Sequence, residues 1–189
     1  MVPPIPSMES RTLQAAGARR SQPGSPDVRT LVSRLRSAST EAPQLVSLFD
    51  ARAIGGERHL LSAWAHLGRS RSRGRERLRD RGAEFALYVA GDDQLPRALA
   101  KVGVSADTET FVLVAERPRP VSELLASFGL VADPSVYPRL PDPEMLRRLG
   151  LEPSEWAHLP SATWEGLVLE RVALVDMVGP ARSGPGKHV

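Results

Sequence analysis

Short apolar segments alternate with helical patterns along residues 25–178, and this alternation constrains the fold more than any other feature. The segments 45–49, 85–90 and 111–115 are short and rich in apolar or β-branched residues, which is typical of strands. Segment 85–90 has no charged residue, so we predict an interior strand there. Strands that alternate with helices predict a mixed α/β domain.

The segments around these strands show the apolar spacing of helices. In 57–69, for example, Leu60 and Trp64 lie one helical turn apart on an amphipathic pattern. Gly103 and Gly129 each follow such a segment and match helix stop signals. We predict helices over 25–37, 57–69, 95–102, 120–128, 144–149 and 164–178.

The chain has 189 residues, which suffices for one domain with a substantial core. Residues 1–24 contain four prolines and no periodicity, so we predict a disordered extension. Residues 25–178 then form the domain, with an irregular linker at 131–143, and 179–189 form a flexible tail.

Cysteine is absent from the sequence, which excludes disulfides, thiolate metal sites and cysteine nucleophiles. The first residues lack the apolar core of a signal peptide. No apolar run approaches the roughly 18 residues that span a bilayer. We therefore expect a soluble protein located in the cytoplasm.

Arginine carries most of the positive charge of the chain, which has 25 basic and 22 acidic residues. Only Lys101 and Lys187 are lysines, and seven arginines occupy every odd position from Arg69 to Arg81. We predict an exposed helix end and loop over 70–82, where nothing could bury an apolar face. Guanidinium groups bind phosphate and stack on bases, so the cluster suits nucleic acid. For any single arginine, a solvated loop is an equally good explanation.

The sequence contains no complete catalytic or cofactor-binding motif. Nucleotide-binding glycine loops, the H-E-x-x-H metal motif and the G-x-S-x-G elbow are all absent. His59 and His66 share a helix face, but about 10 Å along the helix axis separates them, which is too far for one metal ion. Asp92 and Asp93 follow a predicted strand, where a helix cap explains them better than catalysis does. We therefore predict no catalytic, cofactor or metal site.

The predicted last helix, 164–178, is apolar around most of its circumference. Its few charged residues, such as Glu165 and Arg171, do not align on one side. A helix of this kind either lies at the centre of its own core or packs against a partner protein. The residues alone leave both arrangements open.

A series of motifs follows in a distinctive order along the chain. It comprises a D-A-R turn at 50–52, H-L-L-S-A at 59–63, E-x-x-L-Y-x-x-G at 84–91 and Q-x-x-x-A at 94–98. In order and spacing these motifs resemble the kinase-binding accessory subunit of the KEOPS complex, the PRPK-binding protein family, in an archaeal-like form. The resemblance covers roughly residues 28–178.

The resemblance implies a compact α/β (α+β) fold in which helices pack on a small, mixed, antiparallel-rich sheet. It also implies a non-catalytic subunit that binds the small atypical kinase/ATPase of the complex. Such subunits help recruit tRNA through its 3′ CCA end for threonylcarbamoyladenosine modification. The resemblance implies no cofactor, small-molecule substrate or membrane.

Positions that match the family pattern give two sets of candidate residues. The H-L-L helix start and the variable basic segment give the candidate tRNA contacts Arg58, His59, Leu60, Arg69, Arg71, Arg73 and Arg75. The last helix gives the candidate kinase contacts Leu167, Leu174, Val175 and Val178. The chain departs from the family pattern in its proline-rich N-terminal extension and its density of arginine.

Two other functions stay open at this stage. A general RNA-binding module would use the arginine-rich segment and bind in a salt-sensitive way, without preference for a tRNA 3′ end. A small α/β hydrolase or transferase would use Asp92, Asp93 or His59 within a closed pocket.

Overall fold

The computed structural model describes residues 13–41, 44–117 and 120–177. Within them, four strands form one antiparallel sheet: β1 (Leu13–Arg20), β2 (Val46–Asp50), β3 (Thr110–Glu116) and β4 (Leu130–Ala132). Their order across the sheet is β2-β3-β1-β4. This antiparallel sheet, with helices packed on it in a single domain, confirms the predicted fold class.

Eight helices lie in the described part of the chain. They are α1 (Val28–Glu41), α2 (Glu57–Ser72), α3 (Arg81–Ala90), α4 (Leu95–Val102), α5 (Val121–Phe128), α6 (Pro143–Arg148), α7 (Pro153–Trp156) and α8 (Trp164–Met177). The six predicted helices are confirmed, α4 with the predicted bounds and most of the others with shifted ends, whereas α3 and α7 were not predicted.

The sheet separates two apolar cores, because alternate residues of a strand point to opposite faces. On one face, Val112 and Val114 of β3 belong to the larger core with Phe85 and with residues of α2, α4, α6 and α8. On the other face, Phe111 and Leu113 pack with residues of α1 and α5. Most helices therefore lie on one side of the sheet.

Segment 85–90 is helical and forms the second half of α3, so the predicted interior strand was wrong. Asp80 begins the helix by accepting a hydrogen bond from the Ala83 N–H (2.6 Å), and Gly91 ends it with a φ of 60°. All six residues are buried, because α3 packs against β2, α2, α4 and α8. A short, wholly apolar run has no periodicity that separates a buried helix from a buried strand.

The predicted disorder of residues 1–24 was wrong for Leu13–Arg20, which forms β1 in the interior of the sheet. This strand, LQAAGARR, has few large apolar side chains and is held by backbone pairing on both edges. At Gly17, a Cβ would lie 2.6 Å from the carbonyl oxygen of Asp133, so a larger residue does not fit. Close backbone approach leaves no apolar periodicity in the sequence.

The remaining predictions concern the linker and the two ends. The short strand β4 occupies the start of the segment 131–143, which was predicted to be irregular. Residues 1–12 and the predicted tail 179–189 lie outside the described residues.

Candidate nucleic-acid and partner-binding surfaces

The loop between α2 and α3, residues 73–80, is anchored to the buried carboxylate of Glu84. One oxygen accepts a hydrogen bond from Arg71 Nε (3.1 Å), and the other accepts one from the Arg77 backbone N–H (3.0 Å). The Ser70 hydroxyl donates to the carbonyl oxygen of Arg75 (2.8 Å). A buried charge is costly unless it is paired, so these contacts act together. The predicted exposed loop is thus present, and contacts with Glu84 and Ser70 anchor it to α2 and α3.

The alternating arginines divide into engaged and available side chains. Arg71 is engaged with Glu84, Arg77 with the carbonyl oxygen of Val175, and Arg81 forms a salt bridge with Glu116 (2.9 Å). Four further guanidinium groups are exposed and have no hydrogen-bond or ion-pair partner among the described residues: Arg69, Arg73, Arg75 and Arg79. Among the predicted tRNA contacts, Arg71 therefore stabilises the loop, whereas the other members of the run are exposed.

A cavity of about 180 Å³ lies between this loop and the end of α8. We call it the arginine pocket. Its lining consists of Arg69, Ser70, Arg73, Arg75, Arg77, Tyr88 and Asp176. Four guanidinium groups outnumber the single carboxylate, so the pocket suits an anionic group such as a phosphate.

Side chains of α2, α3 and α8 meet in the wall of the arginine pocket. The Tyr88 hydroxyl donates to Asp176 Oδ1 (3.0 Å), and His66 Nδ1 lies 2.6 Å from Asp176 Oδ2. Burial raises the pKa of Tyr88, so its hydroxyl stays protonated and donates at neutral pH. Arg77 Nη2 donates to the carbonyl oxygen of Val175 (2.5 Å) in the last turn of α8. The pocket therefore connects the arginine loop to the end of α8.

The start of α2 holds three of the predicted tRNA contacts, of which only Arg58 is exposed. Arg58 forms a salt bridge with Glu165 of α8 (2.6 Å). His59 and Leu60 are buried, which corrects the prediction that their side chains contact tRNA. His59 Nε2 donates to the Val89 carbonyl (2.8 Å), and Nδ1 accepts from the Gly55 N–H (3.2 Å). Burial lowers the pKa of His59 to about 4, so the ring is neutral and structural.

Helix α8 lies at the surface of the domain and not at the centre of its core. Val168, Val172 and Val175 form its buried face, which packs against α2 and α3. Leu174 and Met177 are 38% and 79% exposed, although both are large and apolar. An apolar helix surface that is open to solvent is typical of a contact with another protein.

The predicted kinase contacts on α8 occupy different environments. Leu174 is exposed, and Leu167 is half-buried against the larger core. Val175 is 2% exposed, which corrects the prediction that it contacts a partner. Val178 lies outside the described residues. Met177 was missed, although its position three residues after Leu174 is the spacing of neighbours on a helix surface.

The aspartate of the D-A-R turn, Asp50, is fully buried and holds several elements together. It accepts hydrogen bonds from Arg52 Nη2 (2.6 Å) and the Thr108 hydroxyl (3.1 Å), and Arg148 Nη1 lies 3.1 Å away. Burial opposes the charge of Asp50, but Arg52 and Arg148 outweigh it and keep its pKa below the ordinary value. The turn motif therefore stabilises the fold.

Asp92 and Asp93 are paired with basic residues of α4. Asp92 lies 3.0 Å from both Arg97 Nε and Lys101 Nζ, and Asp93 lies 2.8 Å from Arg97 Nη2. Burial opposes the charge of Asp92, but hydrogen bonds from the Gln94 N–H, Lys101 and Arg97 keep its pKa lowered. The N-cap of α4 is Gln94, so the aspartates fix the preceding turn and were wrongly predicted as the cap.

Within the described ranges, no group of three or more His, Cys, Asp or Glu side chains is arranged to hold a metal ion. None of the helices described there combines the length and the apolar content that crossing a bilayer requires. In comparisons with known proteins, no family model matches the chain, and no curated protein matches its sequence.

Proposed function

We propose that this protein is a non-catalytic accessory subunit of an archaeal-type KEOPS complex. In this role it acts in the cytoplasm, binds the atypical kinase/ATPase subunit and helps recruit tRNA through the 3′ CCA end for threonylcarbamoyladenosine modification. The motifs from Asp50 to Ala98 support the proposal by their order and spacing. The antiparallel sheet packed by helices agrees with the fold that the resemblance implies.

The observation that carries the proposal is the proximity of two surfaces of different chemistry. One is the arginine pocket at the end of α2, and the other is the exposed apolar end of α8 with Leu174 and Met177. A subunit that joins a nucleic acid to a protein needs both kinds of surface. Leu174 and Met177 are the proposed kinase contacts, with Leu167 at their margin.

The proposed tRNA contacts are three exposed members of the basic run, Arg69, Arg73 and Arg75, together with Arg58 at the other end of α2. Arginine pairs with phosphate through two parallel N–H groups and stacks on bases. Single-stranded ends such as CCA offer both phosphates and unstacked bases. The three loop-side arginines therefore match the chemistry of a tRNA 3′ end.

Leu174→Arg tests the kinase contact. A charged side chain at a buried apolar contact lowers affinity by about 30-fold or more, since such central residues cost about 2 kcal/mol or more when removed. Leu99→Arg is the matched control, because Leu99 lies on α4 and is 48% exposed. Biolayer interferometry with the immobilised kinase subunit measures both. Equal loss in the two variants, or no loss in either, would contradict the proposed contact.

A general RNA-binding module is the alternative that the arginine pocket also supports. The two functions differ in their requirement for the 3′ end. Fluorescence anisotropy with tRNA and with the same tRNA lacking its CCA end distinguishes them. We expect the trimmed tRNA to bind at least about 10-fold more weakly, which corresponds to a few lost contacts. Equal affinity with a steep salt dependence would favour the general module.

A further inference from the structure

The arginine pocket and the exposed end of α8 share the last turn of that helix. Asp176 lines the pocket, and the neighbouring carbonyl oxygen of Val175 accepts a hydrogen bond from Arg77. Leu174 lies about 200° around the helix from Asp176 and is open to solvent on another side. One short piece of backbone therefore contributes to both surfaces.

We propose that an RNA phosphate in the arginine pocket and a protein partner on the outer side of α8 each strengthen the binding of the other. Both surfaces belong to the proposed function, on which this inference rests. The proposal adds a mechanism of regulation, namely that the subunit couples its two partners and does more than tether them.

The RNA half of the coupling follows from the charges in the pocket. Arg69, Arg73, Arg75 and Arg77 line the same cavity as the carboxylate of Asp176, so positive charge is in excess. These guanidinium groups repel one another when the pocket is empty. A phosphate reduces that repulsion and favours the arrangement in which the loop packs against α8. The same arrangement preserves the hydrogen bond from Arg77 to the Val175 carbonyl oxygen, which lies at the negative end of the α8 dipole.

The partner half of the coupling follows from the position of α8. Contact with Leu174 and Met177 covers the last turn and restrains it in the helical conformation. That conformation presents the Val175 carbonyl to Arg77 and Asp176 to Tyr88 and His66. Because both ligands favour the same arrangement of the loop and the last turn, their binding is positively linked.

The test is a thermodynamic cycle with the complete chain. The affinity for the labelled tetranucleotide ACCA is measured by fluorescence anisotropy with and without saturating kinase subunit. This probe is short enough to remain on the pocket and the arginines around it. We expect the kinase subunit to tighten ACCA binding by at least about 5-fold, the lower end of typical allosteric coupling. By linkage, saturating ACCA tightens kinase binding by the same factor.

Two variants and a control assign the coupling to the pocket. Asp176→Asn and Tyr88→Phe each weaken the contact between the pocket and α8, and we expect the coupling to fall below about 2-fold in both. Glu165→Gln is the matched control, because Glu165 also carries a paired carboxylate on α8 but lies at its other end. We expect the control to retain the wild-type coupling. Melting temperatures verify that all three variants are folded.

The outcomes separate this inference from the proposed function. If ACCA and the kinase subunit each bind but neither changes the affinity for the other, the coupling is refuted and the proposed function stands. Wild-type coupling in both Asp176→Asn and Tyr88→Phe also refutes the assignment to the pocket. If either single titration shows no binding, the proposed function fails and the inference fails with it.

Discussion

Replacement of Glu84 by glutamine should loosen the arginine loop without the removal of any arginine. Glu84 has no exposed surface and lies 2.9 Å from the Arg71 guanidinium. The glutamine carbonyl can still accept from the Arg77 N–H, but its NH₂ group then faces the donors of Arg71. Two donors that face each other in a buried site leave the arginine charge uncompensated.

The size of the effect follows from the burial of the pair. Removal of one partner of a buried ion pair costs about 3–5 kcal/mol. Arg71 keeps 25% of its side chain exposed, and one hydrogen bond survives, so we expect a loss of about 2 kcal/mol. For a domain of this size, that loss corresponds to a melting temperature lower by about 4–8 °C.

Differential scanning calorimetry measures this change, and Glu123→Gln is the control. Glu123 is exposed on α5, so its substitution should alter the free energy of unfolding by less than about 0.5 kcal/mol. The Glu84 variant should also bind RNA more weakly, because its loop no longer holds the arginines in place. A melting temperature equal to that of the wild type would refute the view that Glu84 anchors the loop.

Three further predictions concern the pH dependence, the sheet and the RNA contact. As the pH falls from 6.5 to about 4, His59 binds a proton in the unfolded chain but not in the folded one. The wild type should therefore lose up to about 3 kcal/mol of stability over this range, and urea unfolding should show a shallower pH dependence for His59→Gln. In the same assay, Gly17→Ala should destabilise the protein by about 1–3 kcal/mol, because the added Cβ would lie 2.6 Å from a carbonyl oxygen. The control is Gly68→Ala on α2, where the added Cβ meets no atom within 4 Å, so this substitution should be neutral or stabilising. The double substitution of Arg73 and Arg75 by glutamine should weaken the salt dependence of RNA binding. The slope of log association constant against log salt concentration should fall in magnitude by about 1 to 2. An unchanged slope would exclude phosphate contact by these residues.

Elements with clear apolar periodicity could be predicted from the sequence, and those held by other forces could not. Helices α2, α4 and α5 were found from their apolar spacing, and the ends of α4 and α5 from Gly103 and Gly129. The apolar part of α3, residues 85–90, is buried on every side, so this run carried no period. Strand β1 is held by backbone pairing, which side-chain patterns do not report.

The candidate surfaces could be predicted only in part, because exposure depends on tertiary contacts. The arginine run was visible in the sequence, but the pairing of Arg71 with Glu84 requires α2 and α3 to fold back on each other. His59 lies in the same motif as the exposed Arg58, yet its side chain points into the core. On α8, the apolar pattern alone does not distinguish the buried Val175 from the exposed Leu174.

The most direct test of the proposed function is the mass of the particle formed with the cognate KEOPS kinase subunit. The two chains are co-expressed and analysed by size-exclusion chromatography with light scattering in moderate salt, which suppresses loose electrostatic association. We expect a single peak with the mass of a one-to-one complex. Separate elution of the two chains would contradict the proposed role and favour the general RNA-binding module.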